Sequence, residues 1–327
     1  MTTLTLVAAP ARFLTAPFWR AYAVTMRPYL LFVSGITGIA GIALAPDSAP
    51  LRVGFLSLAF FLAYGFGQAL TDCFQLDTDS LSAPYRPLVR GTIRRGDVLV
   101  VSLLGLAGCG LLIGAHEPAT LPLAALTVMG LATYTWFKRR WWGGPLYNAW
   151  IVAVVLLMGY LAAGGTDLAS WALAGALATA LFGYANFVLV GYYKDVTADR
   201  ATGYRTLPVV FGLRVSHRVS DAFAALAAAG AGLAVAALLR NASVVQWLVT
   251  VPFAAAAAVA LVVTQVRTHR VTGDADAHRA VAPVVHAYLL LGATIAVAAR
   301  PLWAPALALF YWAFVVTLRS RPMPEQI

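Results

Sequence analysis

Residues 53–91 read VGFLSLAFFLAYGFGQALTDCFQLDTDSLSAPYRPLVRG: an apolar run that ends in Asp72, Asp77 and Asp79 and is followed by Arg86 and Arg90. A second stretch on the same plan, YYKDVTADRATGYRTLPVVFG at 192–212, closes another apolar run with Asp195 and Asp199, followed by Arg200 and Arg205. Five of the chain's 13 acidic residues are thus gathered at the ends of two membrane-length segments. A charge in such a setting costs about 2.5–3.5 kcal/mol on insertion scales, so something cationic has to compensate it.

The rest of the chain agrees with a membrane setting. Of 327 residues, 61% are hydrophobic and 11% charged, against roughly a quarter charged in soluble domains. Runs long enough to cross a bilayer, at roughly 20 residues each, cover 29–46, 53–71, 98–115, 120–137, 146–163, 168–193, 222–239, 244–266, 281–299 and 302–318. This predicts an all-α polytopic bundle of nine to ten transmembrane helices, with the last pair open to being one span plus a re-entrant piece. Residues 1–27 read as an interfacial segment, 28–319 as one transmembrane domain and 320–327 as a tail.

The formal net charge of +10 does not point to nucleic acid, because the basic residues sit in short segments between apolar runs. Threading the runs with the N-terminus inside puts every Lys and Arg on the inner side except Arg52, Arg240 and Arg300. Both termini and both acidic clusters are therefore expected on the cytoplasmic side, in a bacterial inner membrane. Two cysteines, Cys73 and Cys109, imply no disulfide framework. The clusters lie four helices apart, and YRPLVRG from Tyr85 echoes YRTLPVVFG from Tyr204, so an internal pseudo-repeat is expected, with a site between the halves.

If the second run continues as a helix, Gln68, Asp72, Gln75 and Asp79 fall within roughly 60° of one another, whereas Asp77 lies on another face. Asp195 and Asp199, four apart, share a face if helical. Oxygen ligands without His select a hard cation, and Mg2+ is the usual one where carboxylates share the metal with phosphates. The alternative is that the aspartates only form loop ion pairs with Arg86, Arg200 and Arg205. On the same side Tyr134 and Lys138 are also four apart, and Lys138 is a candidate for a phosphate oxygen.

Two Asp-rich motifs after the second and sixth runs, APYRPLVRG, the intervening Tyr-x-x-x-Lys and DVTADRATGYRTLPVVFG together resemble the UbiA superfamily of intramembrane prenyltransferases, from Tyr22 to at least Gly212. The resemblance implies a UbiA-like bundle around a lipid-open cavity, with Mg2+ and a polyprenyl diphosphate held at the motifs. Asp195 and Asp199 match the second motif, Asp79 the last aspartate of the first, and Tyr134 and Lys138 the intervening element. The first motif departs from the family's Asn-x-x-x-Asp-x-x-x-Asp: Thr71 and Gln75 stand where the family has Asn and Asp. Asp72, on the Asp79 stripe, or Asp77 is the substitute carboxylate, and Gln68 stands in for the asparagine.

On this reading Asp72, Asp79, Asp195 and Asp199 are catalytic, and with Asp77 they form the metal set. The diphosphate is expected to meet Gln68, Gln75, Arg86, Tyr134, Lys138, Lys194, Arg200 and Arg205. Charge neutralisation lets the donor ionise toward an allylic cation, which calls for a dry aromatic wall. Tyr147, Trp150, Tyr160, Phe182, Tyr184 and Phe187 are the candidate wall residues. Asn148 and Asn186 read as interhelical hydrogen-bond partners, and His286 as a candidate acceptor-side base. The expected function is Mg2+-dependent prenyl transfer to a hydrophobic, aromatic acceptor. A membrane terpene cyclase that uses the donor alone is the alternative, and a transporter or lipid-binding protein the reading from another class.

Overall fold

The computed structural model describes residues 10–46 and 49–321. Residues 1–9 of the interfacial segment and 322–327 of the tail lie outside the described residues. Thirteen α-helices follow in order: α1 (Ala16–Met26), α2 (Leu31–Leu44), α3 (Pro50–Asp72), α4 (Leu76–Ser82), α5 (Arg95–Gly114), α6 (Thr120–Lys138), α7 (Gly144–Ala162), α8 (Trp171–Gly191), α9 (Val196–Ala201), α10 (Leu207–Leu238), α11 (Val244–Thr268), α12 (Asp274–Ala299) and α13 (Ala304–Arg319). Among the described residues nine spans are long and apolar enough to cross a membrane, or ten if the bent pair α1–α2 counts as one.

The ambiguity between nine and ten therefore lies at the first span and not at the last pair, which forms two separate helices. Arg27, with φ 51°, adopts the left-handed conformation and Pro28 follows it, so the chain bends by 44° between α1 and α2. α1 does more than float at the interface. Its Phe18 and Tyr22 are buried, and Tyr22 Oη lies 2.9 Å from Ser102 Oγ on α5.

The seventh run was expected to begin at 222, yet α10 starts at Leu207. The polar stretch RVSHRVSD is helical with two of its side chains paired across helices: Ser220 donates to Asn186 of α8, and Asp221 accepts from Gln265 of α11. Gly212, with φ 76°, bends that helix at a conformation few other residues tolerate. α8 and α12 are the most enclosed spans, whereas α11 and α13 show most of their surface to the outside.

α8 and α10 pack almost backbone to backbone. A Cβ on Gly230 would sit 2.8 Å from the Gly175 carbonyl oxygen and 2.9 Å from Thr179 N. Gly230→Val is expected to destabilise the bundle by about 1–3 kcal/mol, read as a fall in thermal midpoint in detergent. An unchanged midpoint would mean that the two helices are free to separate.

At the face opposite the motifs, Arg52 Nε donates to Ala162 O (2.9 Å) and Arg300 Nε to Ala43 O (3.1 Å). These guanidinia satisfy carbonyls left over at the ends of α7 and α2 and oppose the helix dipoles there.

The two motifs share one construction. α3 tightens over its last turn, with Cys73 N bonded to Leu70 O, Phe74 N to Thr71 O and Gln75 N to Asp72 O, then restarts as α4. α8 passes into a 3-10 turn at Tyr192–Asp195 and restarts as α9. The short helices meet, and Thr78 Oγ1 on α4 donates to Asp199 Oδ1 on α9 at 3.0 Å.

Candidate active site

The breaks after α3 and α8 turn the motif side chains inward over the ends of the spans. A cleft of about 670 Å3 results, lined by Gln68, Asp72, Gln75 and Asp79 from the first motif, Tyr192, Lys194 and Asp195 from the second, Tyr134 and Lys138 from α6, and Arg86. The stripe expected on one continuous helix therefore gathers in one place although the helix is interrupted at Cys73. The tightened turn and the restart at Leu76 keep Gln75 and Asp79 on the side of Gln68 and Asp72.

Below the cleft lies an apolar chamber of about 780 Å3 with Leu106, Ile113, Leu131, Ile151, Val155 and Met158 in its wall. Tyr64, Gln68, Thr71, Asn148 and Tyr184 line both spaces, so the polar cleft opens onto the apolar one. Of the six aromatic residues expected as wall, Tyr184 and Phe187 line the cleft. Tyr147 instead stacks on Phe137 (3.7 Å), Tyr160 donates to Asp167 O, Phe182 packs against Phe223, and Trp150 packs edge-on to Tyr147. Asn148 lines the cleft, while Asn186 is bonded to Ser220 across helices. His286 is bonded to Tyr311 (2.7 Å) and lines neither space.

Charges in the cleft come in interlocked pairs. Arg27 Nη2 reaches both oxygens of Asp72 at 2.9 Å, and Gln68 Nε2 donates to Oδ1 at 2.7 Å. Arg86 contacts Asp79 Oδ2 and lies 3.9 Å from Asp72. Burial pushes the Asp79 carboxyl above its usual range against the pull of Arg86. Burial works to lower Arg86, but Asp79, Asp72 and Asp195 outweigh it and keep the guanidinium charged. Lys138 Nζ, 3% exposed as a residue, donates to Gln75 Oε1 (3.2 Å), lies 3.5 Å from Asp199 Oδ1 and sits over the rings of Tyr192 and Tyr204.

Four expected site residues lie elsewhere. Asp199 is fully buried behind Lys138, bonded to Thr78 and, at 3.4 Å, to Thr206, and does not line the cleft. The change from 3-10 to α geometry after Asp195 takes the two aspartates off a common face. Asp77, two residues and about 200° from Asp79 on α4, is exposed and paired with Arg139 (2.7 Å) and Tyr204 (3.0 Å). Arg200 and Arg205 are exposed and outside the cleft. Arg200 follows the inward-facing Asp199 directly, and the Arg205 backbone is tied to Arg139 O.

Because Asp77 and Arg139 are both well exposed, their pair contributes at most about 1 kcal/mol. Asp77→Asn is accordingly expected to leave turnover within about five-fold of wild type. A loss as deep as that of a cleft aspartate would place Asp77 at the reacting groups after all.

The structure adds Arg27 and Tyr64 to the cleft. The one sequence signal for Arg27 is its position as the last charge before the first run, directly ahead of a proline; Tyr64 looks like any packing residue within a span.

Comparison with known proteins gives a consistent set of relatives. The sequence model of the UbiA prenyltransferase family matches residues 32–282. The chain is similar to digeranylgeranylglyceryl phosphate synthase of Natronomonas pharaonis, 32% identical over 194 residues that cover 59% of this chain and 69% of that protein. It is also similar to the synthase of the same name from Pyrococcus abyssi, 27% identical over 63% of this chain and 74% of that one. In structure it is similar to a UbiA homolog from Aeropyrum pernix, with TM-score 0.64 and 18% identity, covering 81% of this chain and 96% of the other. A UbiA homolog from Archaeoglobus fulgidus bound to GPP and Mg2+ gives TM-score 0.62 at 14% identity, over 83% of this chain and 99% of the other.

Proposed function

We propose, from the premise that this chain belongs to the UbiA prenyltransferase family, that it transfers a prenyl group from a polyprenyl diphosphate to a hydrophobic acceptor held within the membrane. One observation carries the reading: a cleft of three carboxylates and four cations opens directly onto an apolar chamber. The first suits a diphosphate and the second an isoprenoid tail.

Magnesium fits the donor set. The lining residues include no His or Cys, and the carboxylates of Asp79 and Asp195 with the amide oxygen of Gln68 would hold a hard cation in concert with phosphate oxygens. Bound there, it supplies positive charge that makes the diphosphate a better leaving group.

Arg86, Lys138 and Lys194 meet the remaining phosphate charge. The bond between the allylic carbon and the diphosphate oxygen breaks with its electron pair going to the diphosphate. The acceptor's oxygen or ring carbon forms the new bond and gives up a proton. Tyr184 and Phe187 present aromatic surface beside the developing cation, and the chamber below keeps water from it. The concentration of basic residues at the motif end supports a cytoplasmic placement of that end.

Two acceptor classes stand side by side. An aromatic ring is the reading from sequence, whereas the names of the relatives favour a prenylated glyceryl phosphate. The test is a product screen by mass spectrometry with Mg2+ and farnesyl or geranylgeranyl diphosphate, supplied with a phenolic acid, with geranylgeranylglyceryl phosphate, or with no acceptor. A prenylated acceptor with stoichiometric diphosphate release is the expected result. Hydrocarbon or terpene alcohol without acceptor would reassign the protein as a cyclase. No diphosphate release under any condition would overturn the reading.

A further inference from the structure

Asp195 occupies the N-cap position of α9, directly ahead of Val196. An aspartate there ordinarily turns its carboxylate onto the backbone N–H two or three residues on, because the first turn of a helix leaves those donors without a carbonyl. Asp195 makes no such bond; its side chain lines the cleft and accepts from Ser82 instead. The helix is capped all the same. Thr197 N, a donor within reach of an ordinary Asp195 cap, gives its hydrogen to Asp274 Oδ2 at 2.9 Å.

Asp274 lies 77 residues further along the chain, as the first residue of α12. Packing brings it there. Val271, Ala277 and Ala280 are buried in the core that also holds Tyr192 and Tyr193, so the start of α12 rests on the 3-10 turn that carries Lys194 and Asp195. Its carboxylate therefore stands at the N-terminal ends of two helices at once, α12 and α9, and both ends favour negative charge. Asp276, in the same turn of α12, serves neither purpose: it accepts from Thr272 Oγ1, lies 3.7 Å from Arg279 and makes no bond to α9 among the described residues.

We propose that Asp274 is a positioning residue, which caps α9 in place of Asp195 and thereby frees the Asp195 carboxylate for the cleft. The inference rests on the metal and diphosphate reading above. Without the Asp274 carboxylate, Thr197 N has lost its acceptor two residues from a side chain of the right length to replace it. Asp195 then divides its time between capping α9 and facing the cleft. A site that is competent in only a fraction of molecules binds its ligand more weakly by the inverse of that fraction, while saturating ligand restores the full population.

The test titrates Mn2+ into the full chain in detergent, read by electron paramagnetic resonance with excess geranylgeranyl thiodiphosphate, an analogue that ionises slowly. Turnover of geranylgeranyl diphosphate with the acceptor found by the product screen is measured alongside, at limiting and at saturating Mn2+. Asp274→Ala is expected to raise the Mn2+ concentration at half-saturation roughly ten-fold, and to leave turnover at saturating Mn2+ within about two-fold of wild type. Asp274→Asn, whose amide oxygen still accepts from Thr197 N, is expected to stay within about three-fold of wild type in half-saturation. Asp276→Ala removes the same charge from the same turn without touching α9, and is expected to bind Mn2+ as the wild type does. An unchanged half-saturation in Asp274→Ala would overturn the proposal. So would an equal rise in Asp276→Ala, which would make the effect one of charge alone, or turnover lost at every Mn2+ concentration in Asp274→Ala, which would make the residue purely structural. Wild-type protein that holds no Mn2+ with the thiodiphosphate would instead remove the metal and diphosphate reading itself, and the assignment of Asp274 with it.

Discussion

Asp195→Asn is expected to lower turnover by roughly 10^3-fold while the protein still inserts and elutes as a single species. The residue sits where the 3-10 turn after α8 delivers it, in the cleft that Asp79 also lines from the other motif. Lys194, Lys138 and Arg86 surround it, and Ser82 hydrogen-bonds it. Asparagine keeps the shape and the contact to Ser82, so packing is spared. What it loses is the negative charge and one carboxylate oxygen, the two properties a hard cation needs. Turnover with geranylgeranyl diphosphate and the acceptor identified by the product screen measures the effect. A loss of ten-fold or less would show that the cation is held elsewhere.

The second large effect falls on stability as well as on rate. Lys138 ties three parts of the molecule together, through Gln75 after α3, Asp199 in α9 and the Tyr192 and Tyr204 rings. Asp199 is 0% exposed and, among the described residues, has only the Thr78 and Thr206 hydroxyls besides. Lys138→Met leaves that carboxylate buried without a countercharge, which costs about 3–5 kcal/mol. The thermal midpoint in detergent is expected to fall accordingly, and turnover to be lost. Adding Asp199→Asn removes the stranded charge, so Lys138→Met/Asp199→Asn is expected to regain most of the stability and none of the activity. If the double variant is no more stable than the single one, the pair is not what joins the motif helices.

Membership of the cleft was legible from helical spacing along α3 and α6, whereas the same spacing failed for Asp195 and Asp199. Gln68, Asp72, Gln75 and Asp79 follow a period that a tightened turn preserves, and Lys138 follows Tyr134 by one turn. It was not legible where it depends on how segments end. Asp77 and Asp79 are near neighbours in sequence, and only the restart at Leu76 sends one outward and the other inward. Arg200 and Arg205 carry the same charge as Arg86, but the short helix α9 and the tie to Arg139 leave them outside. Arg27 reaches Asp72 across 45 residues at a bend that Pro28 marks, but nothing local says which carboxylate it meets. Span positions behaved similarly: apolar length located most of them, whereas the polar start of α10 is joined to α8 and α11 through Ser220 and Asp221, pairings that apolar length does not reveal.

The two interrupted helices also bear on how such a protein diverges. Because α3 and α8 each stop and restart, Gln75, Asp79, Lys194 and Asp195 reach the cleft from short segments beyond the spans. Away from the cleft, the spans beneath answer to length, hydrophobicity and a few close approaches such as Gly175 against Gly230. Leu, Val, Ile and Ala can interchange along their outer faces for long periods of drift without moving a carboxylate. A backbone that still superposes at TM-score 0.62 when 14% of residues are shared is the expected outcome of that separation.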